Sequence, residues 1–201
     1  RDFQNRTDQA IQELDVVINR YTSSSYYDDA VYKKAQIQLE NQRYRQAIQG
    51  FNRIIERLEQ SPFVPYAYEG RAQAYFNLED YDNSIADYKR ILDQFIVSQQ
   101  VANSALLGLQ DVLKLQGREI EFAPYLTAIQ NAYPDNDQLE SIEFKAAQSY
   151  YNAGKYNRAI GAFEDYEKKY PESGKAAEAK FFRAESLYRL NDITKARSEE
   201  H

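Results

Sequence analysis

Apolar residues recur along this chain at helical spacing, and they do so in blocks that copy one another. Tyr44-x-x-Ala47-Ile48-x-x-Phe51, Tyr81-x-x-Ser84-Ile85-x-x-Tyr88 and Tyr156-x-x-Ala159-Ile160-x-x-Phe163 share the form Tyr-x-x-small-Ile-x-x-aromatic. Ala10-Ile11 with Leu14 is a worn copy. The small residues stand at 10, 47, 84, 159 and 196, in steps of 37, 37, 75 and 37. The double step hides a copy near 122, where Gly117 plays the part of Gly154 and Ala123, Leu126 and Ile129 carry the stripe to Pro134. That copy has one extra residue upstream.

A second set of matches precedes these blocks: Ala35-Gln36, Ala72-Gln73, Ala147-Gln148 and Ala184-Glu185. Each repeat therefore holds two apolar-periodic segments joined by a short turn such as Glu79-Asp80 or Gly154-Lys155, which is a helical hairpin. One hairpin cannot cover its own apolar faces, whereas stacked neighbours bury a continuous core. The alanines at 35, 47, 72, 147, 159 and 184 mark close helix approach, and the aromatics at 51, 88 and 163 fill the space toward the next hairpin.

The pattern predicts helices over 4–20, 26–40, 44–59, 63–78, 81–96, 99–116, 119–131, 136–152, 156–169, 173–190 and 192–199. Ser61-Pro62 reads as an N-cap followed by proline at the first helical position. Tyr133-Pro134 and Tyr170-Pro171 end helices. The third copy is irregular: Gln110 replaces the small residue and Pro124 falls inside its second helix. Either the array bends there or that helix begins late, near Ala123, which makes this repeat a secondary candidate for binding specificity.

Composition narrows the function. A formal charge of −6 argues against a polyanion, so nucleic acid is not an expected partner. No apolar stretch approaches the ~20 residues of a membrane helix. There is no cysteine, and the one histidine is His201 at the end, so the common nucleophile–base pairs are missing. No glycine-rich phosphate cradle or clustered metal ligands occur, so catalytic residues, metal and cofactors are all expected to be none. Arg1 is no translation start, and the chain opens and closes inside second helices, at Ala10 and Ala196. The expectation is a piece of a longer array.

Tyr44, Ala47 and Phe51 with their equivalents, together with Gly154 and Pro171, resemble the tetratricopeptide repeat (TPR) signature over nearly the whole chain. The best copy runs from Ser141 to Pro171. There are departures: tryptophan is absent, the period exceeds the usual ~34 residues, and Lys34, Arg71, Ala146 or Arg183 stands where the family favours leucine. The resemblance implies an all-α, right-handed α-solenoid of stacked hairpins, a single array over 1–201. Its repeats are about 23–60, 61–97, 98–134 and 135–171, with partial repeats at 1–22 and 172–201. The ending Phe163-x-x-Tyr166-x-x-x-Tyr170-Pro171-Glu172-Ser173 is similar to repeats of bacterial cell-envelope proteins, including outer-membrane assembly lipoproteins and the Tol-Pal accessory protein. That likeness implies a periplasmic or outer-membrane-associated setting.

In this family the first helices line the concave side, where peptides or partner helices lie. The resemblance thus nominates Tyr32, Gln36, Glu69, Gln73, Asn77, Phe144, Gln148, Asn152, Glu185 and Arg189 as partner-binding residues. A row of glutamines one repeat apart, Gln36, Gln73 and Gln148, offers amides for the peptide groups of an extended ligand. The basic clamp that other members use for chaperone C-termini is missing. Tyr21, Tyr26, Tyr27 and Tyr66 escape the repeat logic and are candidate surface anchors. The expected function is a non-catalytic protein-binding scaffold. The rival expectation is a substrate-recruiting or glycan-binding accessory region of a larger enzyme.

Overall fold

The computed structural model describes residues 2–96 and 98–199, with side chains over 6–96 and 98–191. Among the described residues the secondary structure is entirely helical. The helices are α1 (Asp2–Arg20), α2 (Tyr27–Glu40), α3 (Tyr44–Arg57), α4 (Val64–Asn77), α5 (Tyr81–Gln94), α6 (Gln99–Leu115), a 3₁₀ turn (Glu119–Glu121), α7 (Ala123–Ala132), α8 (Leu139–Asn152), α9 (Tyr156–Lys169) and α10 (Ala176–Glu199). The chain forms two compact units, one ending at Val112 and the other starting at Leu113. The period alone does not predict that boundary, which falls inside α6.

Three predicted helices come out differently, one divided and two merged. The stretch 119–131 divides into the 3₁₀ turn and α7, with Pro124 in the first turn of α7, so the late-start alternative holds. Proline is accommodated there because its missing N–H would have had no helical partner. The break expected after residue 190 is not made: the backbone of α10 is helical through to Glu199. Asn191 stands one period after Gly154, but Leu190-Asn191-Asp192 contains neither glycine nor proline to force the chain out of a helix.

The turns inside the hairpins explain the period. Gln42, Glu79, Gly117 and Gly154 all adopt φ between 60° and 68°. At each, the residue's N–H bonds the carbonyl three back and the next N–H bonds the carbonyl five back, as in Gly154 to Tyr151 (3.0 Å) and Lys155 to Tyr150 (2.9 Å). This is the Schellman ending, which satisfies the carbonyls that the helix leaves open. The connections between hairpins repeat as well. Side-chain oxygens of Ser24, Ser61, Asn136 and Ser173 each accept the N–H two residues on, at 3.0–3.3 Å. Ser61 thus holds a turn before α4 and is not its N-cap; the helix begins at Val64, with Pro65 in its first turn.

Packing within the first unit follows the small residues. Ala35, Ala47 and Ala72 are fully buried. A Cβ added at Gly50 would stand 2.7 Å from the Ala35 Cβ, which puts α3 directly on α2. The aromatics then reach the next hairpin: a Cβ at Gly70 would lie 2.4 Å from the Phe51 ring, and one at Gly108 would lie 2.3 Å from that of Tyr88. Ser84 Oγ donates to the Ala72 carbonyl at 2.9 Å, tying α5 to α4. Arg71 bridges α3, α4 and α5, donating to both Asp87 oxygens at 2.8 and 2.7 Å and to Asn52 Oδ1 at 2.6 Å.

In the second unit Phe144, Ala147, Tyr150, Ala159, Phe163, Tyr166 and Ala179 form the core between α8, α9 and α10. Phe163, equivalent to Phe51, stacks on Phe182 at 5.7 Å. The Tyr-Pro-Glu-Ser ending is a clasp onto α8. Glu140 Oε1 accepts from Tyr166 Oη at 3.0 Å and Ser173 Oγ at 2.6 Å, and Glu143 Oε1 accepts from Tyr170 Oη at 2.9 Å and Lys169 Nζ at 2.6 Å.

Candidate functional site

The first-helix face of the first unit carries an aromatic cluster. Tyr32 of α2 stacks on Phe63 at 4.8 Å and meets Tyr66 edge-on at 6.4 Å. Beside them a groove of about 400 Å³ is lined by Leu14 and Val17 of α1, Tyr32 and Gln36 of α2, and Tyr26 and Phe63 just before α2 and α4. Tyr26 is 71% exposed at its rim. Burial, followed by the charge of Glu69 and the neighbouring Tyr66 and Glu40, pushes the Tyr32 phenol up. The hydroxyl stays neutral and able to donate, while the ring supplies apolar surface.

The polar residues nominated on this face sit along α2 and α4. Gln36 Oε1 accepts from Lys33 Nζ at 3.0 Å. Glu69 Oε1 accepts from Ser104 Oγ of α6 and, at 3.4 Å, from Gln73 Nε2. Asn77 Nδ2 donates to the Gln73 carbonyl at 2.8 Å, so it ends its own helix. Gln73 and Asn77 are exposed and Gln36 is half-buried. Tyr32 and Gln36 therefore share the groove, with Glu69, Gln73 and Asn77 following on α4.

In the second unit the nominated residues divide. Phe144 is 4% exposed and packs edge-on against Phe163 and Tyr166 at 5.9 and 5.4 Å. It is a core residue and not a partner contact, because α8 turns that position toward α9 while its polar neighbours stay outside. Gln148 is half-buried and Asn152 exposed. Glu185 and Arg189 pair one turn apart on α10 at 2.9 Å. Phe181, one period after Phe144, is 61% exposed.

Phe63, Leu14 and Val17 of the groove stand outside the residues nominated from sequence, and Tyr26 is nominated there only as a surface anchor. Phe63 and Tyr26 lie one period apart just before α4 and α2, so the same 37-residue alignment pairs them. They fall before the Ala-Gln block of each repeat. Ser104 had no such signal, since it stands in the copy that carries the extra residue. Of the proposed surface anchors, Tyr21, Tyr26 and Tyr66 are exposed and Tyr27 is half-buried beneath Arg53, whose guanidinium lies 5.4 Å from its ring. Among the described residues no group of three or more metal-ligating side chains gathers, and no helix is long and apolar enough to cross a membrane.

Consecutive antiparallel helices, a repeating left-handed turn residue and aromatics that insert into the next hairpin define an α-helical repeat protein. The chain belongs to the tetratricopeptide repeat family, whose sequence profile matches residues 32–99 and 144–200. No curated protein matches it. Among solved structures it is similar to a tetratricopeptide repeat protein from Parabacteroides merdae, with a TM-score of 0.61 at 15% identity, covering 98% of this chain and 76% of that one. It is also similar to BtubC (BKLC) from P. vanneervenii, with a TM-score of 0.60 at 12% identity, covering 96% and 85%. At these identities the likeness is one of fold: a helical solenoid of the tetratricopeptide kind. Proteins of this family generally mediate protein–protein interaction and are generally non-catalytic.

Proposed function

We propose that this chain is a non-catalytic scaffold that holds a peptide or partner protein on its first-helix face, with the Tyr26–Tyr32–Phe63 groove as the anchor. The observation that carries this reading is an open aromatic groove whose polar lining is one amide, Gln36, with Asp29 and Lys33, the composition of a protein-binding surface. An apolar side chain of the partner fills the groove. Gln36 and Gln73, each with amide capacity left over from one local bond, take its peptide groups. Gln148, Asn152, Glu185 and Arg189 extend the same role in the second unit. The setting we propose is the bacterial cell envelope, supported by the resemblance of the Phe163–Ser173 ending; cell fractionation that recovers the native protein in the cytoplasm would reject it.

A photo-crosslinking residue placed at Tyr26 tests the groove, with Glu56 on α3 as the control position. Partner capture at 26 that is lost in Tyr32→Ala, with helicity unchanged, is the expected result. Equal capture at 56, or capture insensitive to Tyr32, overturns the assignment.

A further inference from the structure

A second cavity, of about 550 Å³, opens between α1, α2 and α3 on another face of α2, using Val31, Lys34 and Gln38 in place of Tyr32 and Gln36. Its floor is apolar, with Ile18 and Val31 buried. Its walls carry Lys34, Arg43 and Arg53 against one lining carboxylate, Asp15. On a chain of formal charge −6 this is a concentration of positive charge. Lys34 pairs with Asp15 at 2.5 Å and Arg43 with Asp8 at 2.5 Å, while Arg53 rests over the Tyr27 ring.

The next hairpin shows what such a position holds. One period on, Arg71 stands for Lys34, Arg90 for Arg53 and Asp87 for Gly50. There the Asp87 carboxylate is gripped through both oxygens by Arg71, and the charge of Arg90 acts on it too. In the first hairpin both cations persist and Lys34 keeps Asp15, the counterpart of Asn52, but the carboxylate at the Asp87 position is gone, for Gly50 has no side chain and borders the cavity. The chain cannot supply one from that position without moving α3, because a Cβ would press on Ala35 at 2.7 Å.

We propose that this cavity is a carboxylate-binding site, in which an acid group from a ligand sits beside Lys34 and Arg53 as Asp87 sits beside Arg71 and Arg90. Gln46 and Gln49, which also line it, supply amide donors to the second oxygen. The apolar floor takes the methylene groups that carry the acid. Two sources present this chemistry, an acidic side chain of a partner polypeptide and a free small dicarboxylate. The site lies apart from the aromatic groove and does not depend on it.

The test is a titration of the isotope-labelled 201-residue chain at low ionic strength, followed by amide NMR. Glutarate is the probe in one arm and acetyl-Gly-Glu-Gly-Glu-Gly-amide in the other. Saturable shifts at Lys34, Gly50 and Arg53 are expected. Lys34→Gln should weaken binding about tenfold or more, and Lys34→Arg should retain it. Arg53→Gln, which leaves the Lys34–Asp15 pair in place, serves as the second variant should Lys34→Gln disturb folding. A response to glutarate alone assigns the site to small dicarboxylates, and a tighter response to the peptide assigns it to a partner's acidic side chain. Absence of shifts with both probes, or unchanged affinity in both glutamine variants, overturns the proposal.

Discussion

Arg71→Met isolates a buried, bidentate ion pair of the first unit. Arg71 and Asp87 side chains are 15% and 7% exposed, and the guanidinium also faces the Tyr68 and Tyr75 rings at 5.2 and 5.9 Å. Methionine keeps most of the stem's packing while stranding a buried carboxylate. Breaking a buried pair from one side costs about 3–5 kcal/mol, because the remaining charge has lost both water and partner. Burial raises the Asp87 pKa above its ordinary value and outweighs the lowering by Arg71's hydrogen bonds and charge and by Arg90. A group raised on folding favours the folded state below its unfolded pKa, and that benefit is lost as pH rises through the folded value. Arg71→Met raises the folded value further, so its deficit at pH 7 should shrink as the pH falls through it. Urea unfolding followed by circular dichroism at pH 7 and pH 5 measures this. Arg71→Met/Asp87→Leu should return most of the lost stability, since an apolar pair of similar size replaces the ions. A single-variant deficit under about 1 kcal/mol at pH 7, or a double variant no better than the single, would refute the reasoning.

The remaining predictions probe turns and packing. Glu79→Gly should stabilise by about 0.5–1 kcal/mol and Gly154→Ala destabilise by a similar amount, because both positions have positive φ and no atom lies within 4 Å of a Cβ at Gly154; denaturant midpoints decide it. Gly108→Ala should cost about 1–3 kcal/mol through the Tyr88 ring, measured the same way. Phe144→Ala should cost about 3–5 kcal/mol, as a core truncation does, and a loss under about 1 kcal/mol would return that residue to the surface. Hydrogen bonds from Ser173 and Tyr166 lower the Glu140 pKa, so this carboxylate stabilises the fold above its unfolded pKa and loses that effect as pH falls through the folded value. Ser173→Ala should therefore make the acid limb of the stability–pH curve shallower.

The period was legible because the regular copies spend similar residues on the same contacts. Ala35, Ala72 and Ala147 are buried where helices touch, and Gly154 announced a turn that Gln42 and Glu79 adopt without being glycine. Gln42 and Glu79 could not be read from propensity, since the Schellman geometry is imposed by the antiparallel return of α3 and α5. The candidate site was harder. Counting from the alanines puts Tyr32, Gln36 and Phe144 on one kind of face, whereas the structure has Tyr32 and Gln36 lining a groove and Phe144 buried. A three-residue offset from a buried alanine lies near the edge between core and solvent. Whether it is covered depends on the partner helix: Phe63 leaves Tyr32 half-open, whereas Phe163 and Tyr166 close over Phe144. The clasp formed by Tyr166, Tyr170 and Ser173 shows that a motif conspicuous in sequence can be spent entirely on holding a loop.

The supernumerary residue of the third copy lies between Ser98 and Gly108, at the front end of α6, a helix of 17 residues where α2, α4 and α8 have 14. Each residue added within a helix rotates everything beyond it by about 100°. Lengthening the entrance leaves Gly108 still beneath Tyr88 and Gly117 still at its turn. The entrance to a first helix is thus the splice point of this architecture, where inserted length leaves the angular phase of the downstream contacts untouched.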